Sequence, residues 1–424
     1  MRRLSSRHLL SAAIVMSALA VTTACGSGAG SNSGGNSGAS AGAGSASAST
    51  ITIGGTGPIA SSVLSQPERQ AAEEAAISTI NAAGGVNGHL LKLDWCDTQD
   101  SANGEFTCMR QLTSDKVAAI VDPGLLVDQS GRGIKYATEE GVPIVGGQGL
   151  EPIEFSTPGS FPLASGIPGW AYGQVVSLIR AGAKKIALFG TDDSGSDYIM
   201  SFTQQAMKAA GLTPVRYVVT DPNADPTFAQ GAAQAMAGGV DGIIYDSSPT
   251  YGDKAIQALR TAGYTGPIAS ITGVFTQQMV SSLGAQANDL YLTSQVALST
   301  DTANPGVQGF LAAMKRYQPS AVIDETSISA WTAVQLFADV AKSISGDITS
   351  ASVLAAMNSL STPIDLQTAG PYQVKAASSQ VVGYPRIYNP DVVLGVIKNG
   401  KLVPFGQSGF VNPFTTLASL KSGN

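Results

Sequence analysis

The chain reads as an α/β protein built from two parallel-rich sheets. Three observations predict this. Short apolar runs alternate with helical stretches from Ile51 onward, several of those runs are apolar on both faces, and a Gly/Pro-rich break divides them into two sets. The first set is Ile51–Ile53, Leu90–Trp95, Val117–Val121 and Val142–Val145; the second is Lys185–Phe189, Val215–Val219, Gly242–Tyr245 and Pro267–Ala269. A strand covered by helices on both sides of a parallel sheet needs apolar side chains in both directions. Strand and helix in alternation imply right-handed βαβ units and an open sheet. The break is Ser165-Gly166-Ile167-Pro168-Gly169, whose composition suits a hinge between runs at 51–166 and 184–296.

The helical stretch Glu68–Ala83 carries Ala72, Ala76, Ile80 and Ala83 at helical spacing, and Gly84-Gly85 stops it. Ser65 and Glu68 have the spacing of a capping box at its start. Beyond residue 300 the order changes, with helical patterns at Pro305–Tyr317, Glu325–Ser343 and Ala351–Leu360, then strand-like pieces at Tyr372–Val374 and Val392–Val403. Within the last of these, Gly395 to Leu402 nearly matches the spacing of a phosphate-binding loop. Leu402 stands where Ser or Thr must hold magnesium, however, and Asn399-Gly400 between apolar residues signals a hairpin.

Residues ahead of Ile51 have a different character. Arg2, Arg3 and Arg7 precede an apolar run, Leu9–Val21, that is too short to cross a ~30 Å hydrocarbon core. It ends in Thr22-Thr23-Ala24-Cys25, small residues leading into a cysteine, the pattern of a bacterial lipoprotein signal over residues 1–24 with Cys25 as the lipidated first residue of the mature chain. Residues 26–50 contain only Gly, Ser, Ala, Asn and Thr, a composition that buries nothing and is expected to be a disordered tether. As a flexible coil it would span roughly 25 to 30 Å. A GxSxG match at Gly38–Gly42 falls in this tether, outside any strand-turn-helix context, and carries no meaning.

Removing Arg2, Arg3 and Arg7 from the 24 basic residues leaves 21 against 30 acidic ones, which argues against nucleic acid as a partner. Besides Cys25 the chain has Cys96 and Cys108, and such a close pair in an exported protein is expected to be a disulfide, with free thiols or a metal site as the alternatives. His89 is the single histidine of the mature chain, so a nucleophile–base arrangement has only one candidate base, and a zinc site lacks ligands. The sequence therefore argues against an enzyme and calls for no cofactor.

Three stretches resemble the leucine/isoleucine/valine-binding type of extracytoplasmic solute-binding protein that serves ABC importers. They are Ile53-Gly54-Gly55-Thr56-Gly57-Pro58-Ile59, the run Ile80 to Gly88, and Asp94-Trp95-Cys96-Asp97-Thr98-Gln99-Asp100 with Cys108 in the helix that follows. The resemblance implies two Rossmann-like lobes of the periplasmic-binding-protein type I fold, joined by three crossovers and closing on a ligand. The first lobe would comprise 51–167 with 298–386, and the second 168–297 with 387–424. It further implies a monomer tethered to the membrane by lipid alone, outside the cytoplasm, with a small-molecule ligand and an ABC permease as partners. A ligand-sensing ectodomain is the alternative.

Parallel strands direct ligands to the loops beyond their carboxyl ends. The candidate ligand contacts are therefore Ser61, Pro123, Gly124, Leu125, Gly147 and Gln148 in the first lobe, and Asp192, Tyr198, Asp246, Ser247, Tyr251, Thr272 and Gly273 in the second. Asp192 and Asp193 read equally as helix caps, and Trp331 reads first as core. Amino-acid binders of the family place an acidic residue where this chain has Thr272, which puts an ordinary ammonium clamp in doubt unless Asp246, Asp192 or Asp193 replaces it. Leu125, Leu126, Val274 and Phe275 would form an apolar wall, and few fixed charges are expected. The ligand then reads as a hydrophobic amino acid or a related small amide or carboxylate.

Overall fold

The computed structural model describes residues 49–422 apart from 62–63, 125–127, 129, 248, 376–380 and 407–408. Cys25, tether residues 26–48, and Leu125 and Leu126 thus lie outside the described residues, while Thr50, expected to end the tether, already belongs to the first strand. The chain begins with β1 (Thr50–Gly57), α1 (Pro67–Ala82), β2 (Leu90–Asp97), α2 (Ala102–Ser114), β3 (Ile120–Val121), α3 (Arg132–Glu139), β4 (Ile144–Val145) and β5 (Ser160–Phe161). These strands form a five-stranded sheet in the order β2-β1-β3-β4-β5, parallel throughout.

A second series follows: α4 (Gly166–Arg180), β6 (Ile186–Thr191), α5 (Ser194–Ala209), β7 (Arg216–Thr220), α6 (Ala229–Met236), β8 (Gly242–Asp246), α7 (Gly252–Thr261), β9 (Ile268–Ile271), α8 (Gln277–Leu283) and β10 (Leu290–Ser294). Three helices come next, α9 (Pro305–Tyr317), α10 (Glu325–Lys342) and α11 (Ser350–Ser359). The hairpin β11 (Val393–Lys398) and β12 (Lys401–Pro404) and the helix α12 (Pro413–Ser422) complete the chain. The second sheet runs β12-β11-β10-β9-β8-β6-β7, with the hairpin antiparallel and the other five strands parallel. The fold is α/β with two parallel-rich sheets, as the apolar runs predict.

Each sheet is buried on both faces. One core packs Ala72, Ala76 and Ile80 of α1 and Phe310, Val334 and Phe337 of α9 and α10 against Ile53 and Val121 of the first sheet. Met109, Leu112 and Ile134 of α2 and α3 cover its other face. Trp331 is core, 6% exposed and edge-on to Phe310 at 5.8 Å between ring centres. In the second sheet Phe189, Tyr245 and Ile268 meet Phe228, Ile256 and Leu259 on one side, while Leu188, Ile244 and Ala269 meet Val175, Leu178 and Met200 on the other. Val381 and Tyr384, at the end of the stretch assigned to the first lobe, and Ile387 just beyond it pack with Phe155 and Phe202 in the second sheet's core.

Several local expectations change. Ser65 does not cap α1: its hydroxyl donates to the Ile59 carbonyl at 2.7 Å, Gln66 occupies the cap position, and Pro67 opens the helix. Proline at the first position needs no amide partner and already has a helical φ. The Gly/Pro stretch that suits a hinge forms the buried first turn of α4. Glycine is required at Gly166, where φ is 64° and a Cβ would lie 2.1 Å from the Gly149 carbonyl. β5, β10 and α12 are additional elements without a counterpart in the expected set. The near match to a phosphate loop is the β11–β12 hairpin, in which Lys398 pairs with Lys401 and Asn399 and Gly400 take φ of 51° and 73°.

Cys96 and Cys108 are joined, tying the end of β2 to α2 across a Cα separation of 5.4 Å. Closing so short a loop is worth about 3 kcal/mol in the chain-entropy model. Intact-mass analysis after non-reducing alkylation should find neither thiol labelled, and Cys96→Ser with Cys108→Ser should lower urea stability by about that amount. Labelling of both thiols would disprove the bridge.

The interior also holds carboxyls that burial makes harder to ionise. Burial pushes Glu154 up to about 8 and Asp246 up to about 7, and raises Glu73 well above the usual range, with the nearby Asp122 adding to the effect. For each group the folded state holds its proton more tightly than the unfolded chain. The resulting stability is complete below the unfolded value near 4 and is lost as pH rises through the folded value. Denaturant stability should accordingly fall between about pH 4.5 and pH 8, and Glu154→Gln should flatten that slope. A slope unchanged in Glu154→Gln would show that this carboxyl is ionised in the folded protein.

Candidate functional site

In each sheet the strand order reverses beside the first strand of its series, β2-β1-β3 in one and β7-β6-β8 in the other. Such a reversal opens a crevice at the carboxyl ends of the strands. A cavity of about 1070 Å³ lies there, lined by loops from both sheets. The start of α1 contributes Leu64, Ser65, Gln66 and Glu68; the loop after β4 gives Gln148; and the turn beyond it gives Leu150, Glu151 and Pro152. From the second series come Trp170 of α4, Asp197 and Tyr198 of α5, Ser247 and Thr250 after β8, and Thr272 to Phe275 after β9. Asp324, Glu325 and Thr326 enter from the start of α10.

The loop holding Gln148 shows how the backbone shapes the lining. Gly146, Gly147 and Gly149 have φ of 90°, 86° and 69°, in the region that favours glycine. A Cβ on Gly146 would sit 2.4 Å from that of Ala333, and one on Gly149 would sit 2.3 Å from the ring of Phe155. Glycine lets the loop fold tightly onto α10 and return Gln148, 7% exposed, to the cavity wall.

Of the residues expected from sequence to contact a ligand, Gln148, Tyr198, Ser247, Thr272 and Gly273 line the cavity. The structure uses the others differently. Asp246 is fully buried behind the wall, where it accepts from Gln174 Nε2 at 2.5 Å. Tyr251 packs on Phe228 with ring centres 5.8 Å apart and caps α7. Asp192 is exposed outside the lining, and Asp193 caps α5 by accepting from Ser196 N at 2.9 Å. Ser61 accepts from Leu64 N at 3.4 Å and steadies the loop that leads into α1. Gly124 N donates to Thr56 O at 2.9 Å, so Pro123 and Gly124 lie against β1. Gly147 shapes the turn beside Gln148.

The expectation of few fixed charges is overturned. Six carboxylates line the cavity, Glu68, Asp100, Glu151, Asp197, Asp324 and Glu325, and no Lys, Arg or His is among the described lining residues. Burial pushes Glu68 up to about 7, with Asp324 adding to the rise, and burial likewise brings Glu151 and Glu325 to about 7. Glu325 is the most constrained. Its carboxyl accepts from Gln295 N at 2.6 Å and contacts the Thr272 hydroxyl, which also lies 3.1 Å from Thr293 O. The position expected to lack an acid is therefore served by a carboxylate from α10, a helix whose body packs on the first sheet. In the sequence Asp324-Glu325 reads only as a helix start, because its place in the cavity depends on long-range topology.

The apolar part of the wall comprises Ile167, Trp170, Ile271, Val274, Phe275, Val280 and Leu292. Val274 and Phe275 occupy the expected wall positions, while Leu125 and Leu126 fall outside the described residues. Tyr198 is tied to Tyr384, with hydroxyls 2.6 Å apart, and Ser247 Oγ is 2.6 Å from Tyr245 Oη. A cleft with a largely apolar wall and convergent polar groups is suited to holding a small molecule.

Solved structures share this architecture. An extracellular ligand-binding receptor from Verminephrobacter eiseniae aligns at a TM-score of 0.71 and 22% identity, covering 84% of this chain and 100% of its own. An ABC transporter substrate-binding protein from Desulfitobacterium hafniense, in complex with Leu, gives 0.68 and 18% over 84% and 100%. A fatty acid ABC transporter substrate-binding protein from Thermomonospora curvata gives 0.69 and 12% over 87% and 94%. At these identities the likeness is one of fold. No curated protein is similar to the chain in sequence. The sequence model of the periplasmic binding proteins matches residues 50–390, nearly all of the folded body. The chain belongs to the periplasmic binding protein family, extracytoplasmic proteins that bind a small molecule without transforming it.

Proposed function

We infer that this chain is the solute-binding component of an ABC importer, anchored outside the membrane through Cys25. It captures a small, partly apolar solute between two lobes and presents it to the permease. The observation that carries this reading is the cavity built from strand-end loops of both sheets, with Gln148 on one side and Ser247 and Thr272 on the other. In this reading the first lobe is 51–167 with 298–386, the second is 168–297 with 387–424, and Gln148, Tyr198, Ser247, Thr272 and Gly273 touch the solute. The Leu complex of the Desulfitobacterium hafniense protein supports a small hydrophobic solute. Among the candidates suggested by sequence, the acidic lining disfavours a free carboxylate, since like charges in a poorly solvated cleft repel. No helix among the described residues is long and apolar enough to cross a membrane, which is compatible with attachment by lipid.

Two outcomes follow. Solution scattering should show a smaller radius of gyration once a stabilising solute saturates the protein, and an unchanged radius would argue against closure. Fatty-acid-analogue labelling of cells should mark the wild-type chain and leave Cys25→Ala unlabelled. Equal labelling of both would remove the anchor from this reading.

A further inference from the structure

The charge of the cavity is one-sided, and its most constrained carboxyl has the indole N–H of Trp170 pointed at it. Glu68 and Asp324 lie close enough for one to raise the other's pKa, and Glu325 follows Asp324 directly at the start of α10. Across from them Trp170, 4% exposed, directs its indole N–H toward the Glu325 carboxyl without closing a hydrogen bond, so that N–H has no partner. Ile167, Ile271 and Leu292 continue the apolar surface beside Trp170. At about pH 8, where the lining carboxyls are mostly ionised, an anion entering this space would meet carboxylates and no described cationic side chain, and it would lose hydration without gaining a counter-charge. A cation would gain a buried counter-ion, and Trp170, whose N–H points to the same carboxyl, would keep that counter-ion oriented.

We propose, resting on the solute-binding reading above, that the solute is a small organic cation, an amine or quaternary ammonium with an apolar body. Glu325 is its counter-ion. Thr272 and the Gln295 amide hold the carboxyl in place, so the charge is positioned before the solute arrives. The apolar body lies along Ile271 and Leu292.

The test uses three compounds of one shape and different charge: 4-phenylbutylamine, 4-phenylbutanamide and 4-phenylbutanoate. Calorimetric titration of the full folded protein at about pH 8 keeps both the amine and the lining carboxylates ionised. The amine should bind about tenfold or more tightly than the amide, and the carboxylate should not bind detectably. Glu325→Gln should weaken the amine by about tenfold and change the amide by less than about twofold. Should Glu325→Gln melt well below wild type, Glu68→Gln on the separate helix α1 supplies the second variant, with a loss of about threefold for the amine alone. Tightest binding by the amide or carboxylate would overturn the cation assignment and leave the solute-binding reading intact. An amine affinity unmoved in both variants would also overturn it, as would no binding by the amine. Only a broad screen of amino acids, amides, amines and aromatic acids in which nothing raised the melting temperature would bring down the solute-binding reading itself.

Discussion

Parallel strand pairing is the constraint on which the rest of the structure depends. Because the strands of each series run the same way, every connection must return as a crossover, and the loops that precede the helices gather at one edge. Where the order reverses, the crevice between adjacent loops stays open. Both sheets meet this condition and both supply loops to one cavity, so the site is composite from the outset. The chain enforces this further by sending α9 to α11 back to the first sheet's core before β11 completes the second sheet.

Buried charge is the second organising element, and it sits mostly beneath the loops. Arg69 of α1 pairs with Asp122 beyond β3, both essentially inaccessible to solvent, and Ser329 of α10 donates to the same carboxylate at 3.4 Å. Leaving either ion unpaired there would cost about 3 to 5 kcal/mol, so the pair holds the β3 loop against α1 even though its net contribution to stability is small. Glu73 lies beside it with neither carboxyl oxygen hydrogen-bonded, and its neutral form adds no second charge. The contrast with the cavity is physical: beneath the loops Asp122 has a cation and Glu73 a proton, while no described cationic side chain lines the cavity wall.

Much of the fold was legible from residue pattern. Helices α9 to α11 begin and end within a residue of their apolar periodicity, helped by Asn304, Asp324 and Thr349, whose side chains accept from the first-turn amides. The two-faced apolar strands and the Asn399-Gly400 hairpin are equally local signals. β5 and β10 gave weaker ones: β5 has two residues, and Tyr291-Leu292-Thr293 in β10 mixes polar and apolar side chains. The Gly/Pro stretch did not read as helix, because glycine and proline there mark a close approach and a first helical turn. Gly166 is needed where backbone meets backbone, and Pro168 fits a first helical turn.

The sequence by itself determined the class of fold, the parallel pairing and the edge of each sheet where loops would collect, because these follow from periods of two and 3.6 residues and from the handedness of crossovers. It also singled out Gln148, Tyr198, Ser247, Thr272 and Gly273, since each follows a strand closely. Only the tertiary structure decided which loop residues turn inward, removing Asp246 to a bond with Gln174 and Tyr251 to a stack on Phe228. Only it brought Glu325 to Thr272 across 53 positions of sequence, so the charge of the site was set by packing between distant segments that no local period records.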